Sequence, residues 1–170
     1  TELDFIEILT KLGEYQQAQE KIKQLEKPVL KLSKIKLNVR YFHVHSMICQ
    51  YLGDYELAQE YVEQAIYHNE KTHNQILETR LTLQRGTILA LSEQYEKAIE
   101  NHKKALGLVR KIGDRRLESK NLITLGVCYK HLKQYERAGQ MYRRAIAINE
   151  EIGHKRGLAI LYLNLSQILP

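Results

Sequence analysis

Apolar residues recur along this chain at the spacing of one helix face, in blocks that return every 40 residues. The stretch 112–145 shows the unit most clearly. Leu122, Leu125, Gly126 and Tyr129 stand at i, i+3, i+4 and i+7, a spacing that puts side chains on one face of an α-helix. Beyond Lys133-Gln134, which interrupts the pattern, Ala138, Tyr142 and Ala145 repeat it with smaller residues. The small residues Gly126, Ala138 and Ala145 allow two antiparallel helices to approach closely, and Tyr129 and Tyr142 fill the space beside them. A helix hairpin of this kind leaves a broad apolar face uncovered and needs a neighbour.

The neighbours follow in sequence. Tyr15, Tyr55, Tyr95 and Tyr135 are one period apart, as are Ala18, Ala58, Ala98 and Ala138, and also Ala65, Ala105 and Ala145. The turn block reads GEYQQAQE at 13–20, GDYELAQE at 53–60, EQYEKAIE at 93–100 and KQYERAGQ at 133–140. A fixed period across a whole chain indicates a solenoid whose units stack on their neighbours. Capping residues, glycines and prolines predict helices over 2–12, 14–26, 29–51, 54–70, 74–92, 94–111, 114–132, 134–151 and 155–169. Lys27-Pro28 is expected to end the second of these, because proline disfavours helix in the residue before it. The organisation expected is one solenoid over 1–170, with repeats at about 1–28 (partial), 29–71, 72–112, 113–152 and 153–170 (a half repeat). The last helix, with Leu158, Leu161, Leu165 and Leu169, lacks a following partner, so the chain reads as a piece of a longer protein. That uncovered helix at 155–169 is also a candidate homo-oligomer contact.

Composition narrows the class. A hydrophobic fraction of 44% with 27% charged residues is ordinary for a water-soluble fold. No apolar run reaches the ~20 residues needed to span a bilayer, and the N-terminus has no signal pattern, so no membrane insertion and a cytoplasmic location are expected. Two cysteines, Cys49 and Cys128, make no disulfide framework. The net charge of +6 is uneven: residues 1–85 hold 11 Lys/Arg against 12 Asp/Glu, and residues 86–170 hold 15 against 8. A basic half can serve nucleic acid, but no set of aromatic residues alternates with these cations as base stacking requires. Nucleic acid is therefore disfavoured as a partner.

Catalytic chemistry finds no foothold. No phosphate loop, dinucleotide fingerprint, nucleophile elbow or His-Glu-x-x-His pattern occurs. His43 and His45, two apart, point to different helix faces. Cys128 and His131, three apart, could share a metal, but two ligands fall short of the four of a structural zinc site. No enzyme activity, cofactor or metal is expected.

The residues Leu122-x-x-Leu125-Gly126-x-x-Tyr129 and Ala138-x-x-x-Tyr142 resemble the tetratricopeptide repeat, with Leu122 in the place of its tryptophan and Tyr142 in that of its phenylalanine. The resemblance covers the whole chain with a period of 40 rather than about 34. It implies an all-α fold, a right-handed α-α superhelix (solenoid) of antiparallel helix hairpins. Arrays of this longer period are found in spindle-orientation adaptors, in Rap/PlcR-type peptide-sensing regulators and in MalT-type activators. The resemblance implies a protein–protein interaction module that binds a peptide or helix in a concave groove lined by the first helix of each hairpin. The alternative is the ligand-sensing or oligomerisation segment of a signalling or transcription regulator. Candidate groove residues fall in rows: Arg40, Arg80 and Lys120; His43, Leu83, Ile123 and Leu163; Met47, Thr87, Val127 and Gln167; and Gln50, Ala90 and Lys130. The lysine/asparagine clamp of chaperone-tail binders is replaced here by His43, Val44, Met47, Ile123, Thr124 and Val127, which disfavours that partner.

Two expectations concern charge. The ladder Arg40, Arg80, Lys120 would attract an acidic or phosphorylated segment, unless Glu78 and Glu118 nearby neutralise it. His45 and Arg85, where Leu125 and Leu165 stand in later repeats, are expected to lean outward with their stems packed.

Overall fold

The computed structural model describes residues 2–32 and 34–168. The described residues form α1 (Glu2–Leu12), α2 (Tyr15–Leu32), α3 (Ile35–Leu52), α4 (Tyr55–Glu70), α5 (Gln75–Leu91), α6 (Tyr95–Ile112), α7 (Arg115–His131), α8 (Tyr135–Glu151) and α9 (Lys155–Ser166), and no strand. None of these helices is long and apolar enough to cross a membrane. The chain divides into two compact units, Thr1–Ile88 and Leu89–Pro170.

In the first unit Ile6, Ile22, Tyr41, Ile48, Val62, Leu81 and Ile88 are buried together. In the second, Leu122, Leu125, Tyr129, Tyr142, Ile148 and Leu161 do the same. Burying each large aliphatic side chain contributes about 1.5–3 kcal/mol, so the period-40 stripe supplies most of the drive to pair helices. The alanines of the second helices, Ala18, Ala58, Ala98, Ala138, Ala65, Ala105 and Ala145, are fully buried. At Gly126 the approach is closest: a Cβ added there would lie 2.3 Å from Cε1 of Tyr142. Ser46, one of the residues in the same register, instead donates its hydroxyl to the carbonyl of Ala58 at 2.7 Å and accepts from Gln84 Nε2 at 3.1 Å.

Turn chemistry follows the same period. Left-handed backbone occurs at Gly13, Gly53, Glu93 and Lys133 inside the hairpins, and at His73, Gly113 and Gly153 between them. Glycine adopts this conformation without strain; elsewhere the turn geometry is imposed on side-chain-bearing residues. Asp54, Asn74 and Asp114 then start helices by accepting from the backbone N–H groups of Leu57, Leu77 and Leu117 at 3.2, 3.1 and 2.9 Å. Two of the turn tyrosines stack on the end of a neighbouring helix. Tyr15 stacks on Tyr51 at 4.7 Å, and Tyr95 on His131 at 4.6 Å.

One boundary departs from the sequence reading. α2 runs through Pro28 to Leu32, and α3 starts at Ile35, so the second helix does not end at Lys27 and the third does not begin at 29. Proline removes one backbone donor, but its fixed φ is itself helical. Burial of Val29 within α2 offsets the missing bond.

The glycines give a test of opposite signs. Gly126→Ala should cost ~1–3 kcal/mol, because the buried ring of Tyr142 has nowhere to move. Gly107→Ala, with open space around its Cβ position, should stabilise by ~0.5–1 kcal/mol through helix propensity. Urea melts of the two variants check both; equal shifts would contradict the register.

Candidate functional site

A cavity of about 730 Å³ opens within the first unit. Its walls come from α1 (Glu7, Thr10, Lys11), from α3 (Lys36, Val39, Arg40, His43, Val44, Met47), from α5 (Leu77, Arg80), and from Thr72 and Asn74 between α4 and α5. These three helices are the first members of their hairpins. The second helices of this unit, α2 and α4, contribute nothing to the lining. α1 and α3 pack against α2 and α4, and Val39 and Val44 of the buried face of α3 also reach the cavity wall.

Charge in this cavity is partly matched. Arg40 pairs with Asp4 through Nη2 and with Glu7 through Nε, the latter at 2.6 Å. The hydrogen bonds to Glu7 and Asp4 raise the Arg40 pKa still further and fix it as a cation. Lys11, Lys36 and Arg80 make no ion pair among the described residues. His43, half-buried between Glu7 and Arg80, is held below the ordinary histidine value, chiefly by burial, with Glu7 opposing and Arg80 reinforcing the shift.

Of the predicted groove residues, the cavity gathers Arg40, His43, Met47 and Arg80. Leu83 and Thr87, half-buried on α5 in the same unit, lie outside its lining. In the second unit Ile123, Val127 and Lys130 are half-buried on α7, whereas Lys120 is exposed. Lys130 Nζ donates to Gln167 Oε1 at 2.8 Å, which joins α7 to the end of α9. Leu163 is 62% exposed. The sequence reading missed Glu7, Lys11 and Lys36 as neighbours of the site. Glu7 stands one period before Met47, so that row carried back 40 residues reaches it; Lys11 and Lys36 lie off the rows and are brought to the site by packing.

Models of the tetratricopeptide repeat match residues 39–72 and 77–151, well over half of the chain. It is a tetratricopeptide-repeat protein. Its fold class is the all-α helix-hairpin solenoid implied by the 40-residue period. No curated protein matches in sequence. Among solved structures the fold is similar to that of RapI in its apo form, with TM-score 0.87 and 20% identity over 98% of this chain and 61% of that one. It is similar to aspartyl phosphate phosphatase F from Bacillus subtilis, with TM-score 0.85 and 24% identity over 98% of this chain and 44% of that one. A Rap protein complexed with competence and sporulation factor matches at TM-score 0.64 and 16% identity, over 98% and 51%. The chain thus spans less than two thirds of each, and likeness at these identities is likeness of fold.

Within the tetratricopeptide register, the polar residues in apolar rows are accounted for by packing. His45 does not lean outward: it is 1% exposed, stacked on Tyr61 at 3.9 Å and set edge-on to Tyr41 at 5.6 Å. Neither of its ring nitrogens has a hydrogen-bond partner among the described residues. An imidazole ring is flat and, when neutral, can join an aromatic stack inside the core. Arg85 reaches Glu63 on α4 at 3.3 Å, half-buried. Glu118 does not neutralise Lys120; it is buried and bridges Arg110 and Arg115 at 2.8 and 2.7 Å, while Arg115 also pairs with Glu151. On α9 the exposed apolar residues are Ile160, Tyr162 and Leu163; Leu161 is fully buried and Leu158 and Leu165 half-buried. Leu169 lies outside the described residues. The helix packs against α8, and Leu161 and Leu165 join the core of the second unit. Both thiols, fully buried, are pushed up to about 11 by burial and stay protonated.

His45 ties stability to pH. Burial, reinforced by Lys23, holds it at about 4, below the ordinary 6.5. Between those values the folded chain binds fewer protons than the unfolded one, so stability is complete above pH ~6.5 and declines as pH falls through that window. Wild type should therefore lose ~1–3 kcal/mol more than His45→Leu between pH 7 and pH 4.5 in urea titrations. Equal losses would place the acid sensitivity elsewhere.

Proposed function

We propose that this tetratricopeptide-repeat chain is a protein- or peptide-binding module whose contact surface is formed by the first helices of its hairpins. The observation that carries this reading is the first-unit cavity, about 730 Å³ and lined by α1, α3 and α5. A concave site of that size suits several side chains of a partner segment rather than a single ion. The groove residues of the reading are Arg40, His43, Met47, Arg80, Leu83 and Thr87 in the first unit. In the second they are Lys120, Ile123, Val127, Lys130, Leu163 and Gln167. The solved complex of a Rap protein with competence and sporulation factor supports binding as the task. It also favours a second reading, a ligand-sensing segment of a larger signalling regulator. Phosphatase activity, named for one similar structure, belongs to that protein; we read the present chain as a non-catalytic binder acting in the cytoplasm. A homo-oligomer contact through residues 155–169 belongs to the same reading, carried by the exposed Ile160, Tyr162 and Leu163.

Selection of a random dodecapeptide phage library on the immobilised chain tests the binding reading. Wild type should retain peptides that rebind in solution. Met47→Asp should weaken them by about tenfold or more at unchanged helicity, because it sets a desolvated charge against the partner's apolar side chains. Failure to retain any peptide, or equal binding by the variant, would remove the cavity from the function.

A further inference from the structure

The cavity of the first unit carries more cation than its own acids can match. Four of its lining residues, Lys11, Lys36, Arg40 and Arg80, are positive, and Glu7 is its single lining carboxylate. Glu7 and neighbouring Asp4 are both committed to Arg40. Lys11, Lys36 and Arg80 are left facing the same space without an ion pair among the described residues. Like charges gathered around one concave surface repel, and neither folding nor packing gains from leaving them so. An incoming carboxylate would relieve that repulsion, and arginine can hold one through two parallel hydrogen bonds.

We propose that this cavity selects acidic peptides, with an aspartate or glutamate side chain of the bound segment held at Arg80 and the lysines at 11 and 36. Apolar side chains flanking that acid pack against Met47 and Leu77 on the adjoining wall. The inference rests on the peptide-binding reading and adds the chemistry of the ligand to it. The Glu7–Arg40 pair shows in the same cavity the contact that the peptide repeats with Arg80: a carboxylate against a guanidinium at a partly apolar wall. A polyanion such as nucleic acid fits less well. The lining contains no Phe, Tyr or Trp ring on which a base could stack, and the carboxylates of Glu7 and Asp4 would repel a run of phosphates.

The phage selection separates this inference from the reading beneath it. Peptides retained by wild type should be enriched in Asp and Glu relative to the unselected library. A fluorescent synthetic copy of the most enriched one should lose about tenfold or more in affinity on Arg80→Gln, and its Asp/Glu→Asn/Gln counterpart should bind wild type equally weakly. Glu7→Gln should have the opposite effect, because it releases Arg40 from one of its two internal acids and lowers the negative charge in the cavity. A two- to threefold gain in affinity is expected, falling away as salt rises. Peptides retained without acidic enrichment, or acidic peptides indifferent to both variants, overturn the acid selectivity and leave the binding module standing. Retention of no peptide overturns both. Thermal melts of each variant, matching wild type, exclude a folding defect as the cause of lost binding.

Discussion

Close approach of the two helices in a hairpin governs this structure, and small residues at fixed places make it possible. The ring of Tyr142 lies where a Cβ on Gly126 would stand, and the fully buried alanines of α2, α4, α6 and α8 keep the same clearance elsewhere. Once a first helix has spent one stripe on that contact, its remaining stripe must face a neighbouring hairpin or solvent. A larger residue at the alanine positions would push the first helices out of register and change the spacing of the side chains they present.

Much of the fold was readable because it is local or periodic. The caps Asp54 and Asp114, the glycine turns and the buried alanines all follow from short-range backbone chemistry repeated at a fixed step. The departures come from packing between elements distant in sequence. Pro28 sits inside a helix because Val29 is buried in the same helix, which no local propensity reports. His45 stacks on Tyr61 and sits edge-on to Tyr41, although its polarity suggested an outward-leaning side chain. On α9 the leucine stripe is not the exposed face: Leu161 is drawn into the core of the second unit, and Ile160, Tyr162 and Leu163 stay outside.

The candidate site was legible only in part, for the same reason. Four of its residues, Arg40, His43, Met47 and Arg80, lie in rows set by the period. Glu7 extends one of those rows into α1, because it stands 40 residues before Met47, whereas Lys11 and Lys36 lie off the rows and join the site through packing alone. The sequence could show where the first helices repeat, but not which cations their neighbours would neutralise.

That neutralisation breaks the symmetry of the charge ladder. In sequence, Arg40, Arg80 and Lys120 are equivalent by position. In the structure Arg40 is committed to α1 through Asp4 and Glu7, so it serves to fasten two helices and has little left for a ligand. Glu118, placed by the period to answer Lys120, is buried instead and accepts from two part-exposed arginines, Arg110 and Arg115, which ties α6 to α7, with Arg115 reaching Glu151 on α8. A carboxylate removed from water needs its full set of donors, and two guanidiniums supply them where one exposed lysine could not. Fastening contacts are therefore met first, by the best-placed acids, and the cations they leave over define where an acidic partner gains most. Within the first unit those cations are Arg80, Lys11 and Lys36, and they line one cavity. Repetition supplies the charges; helix packing decides which of them remain available for recognition.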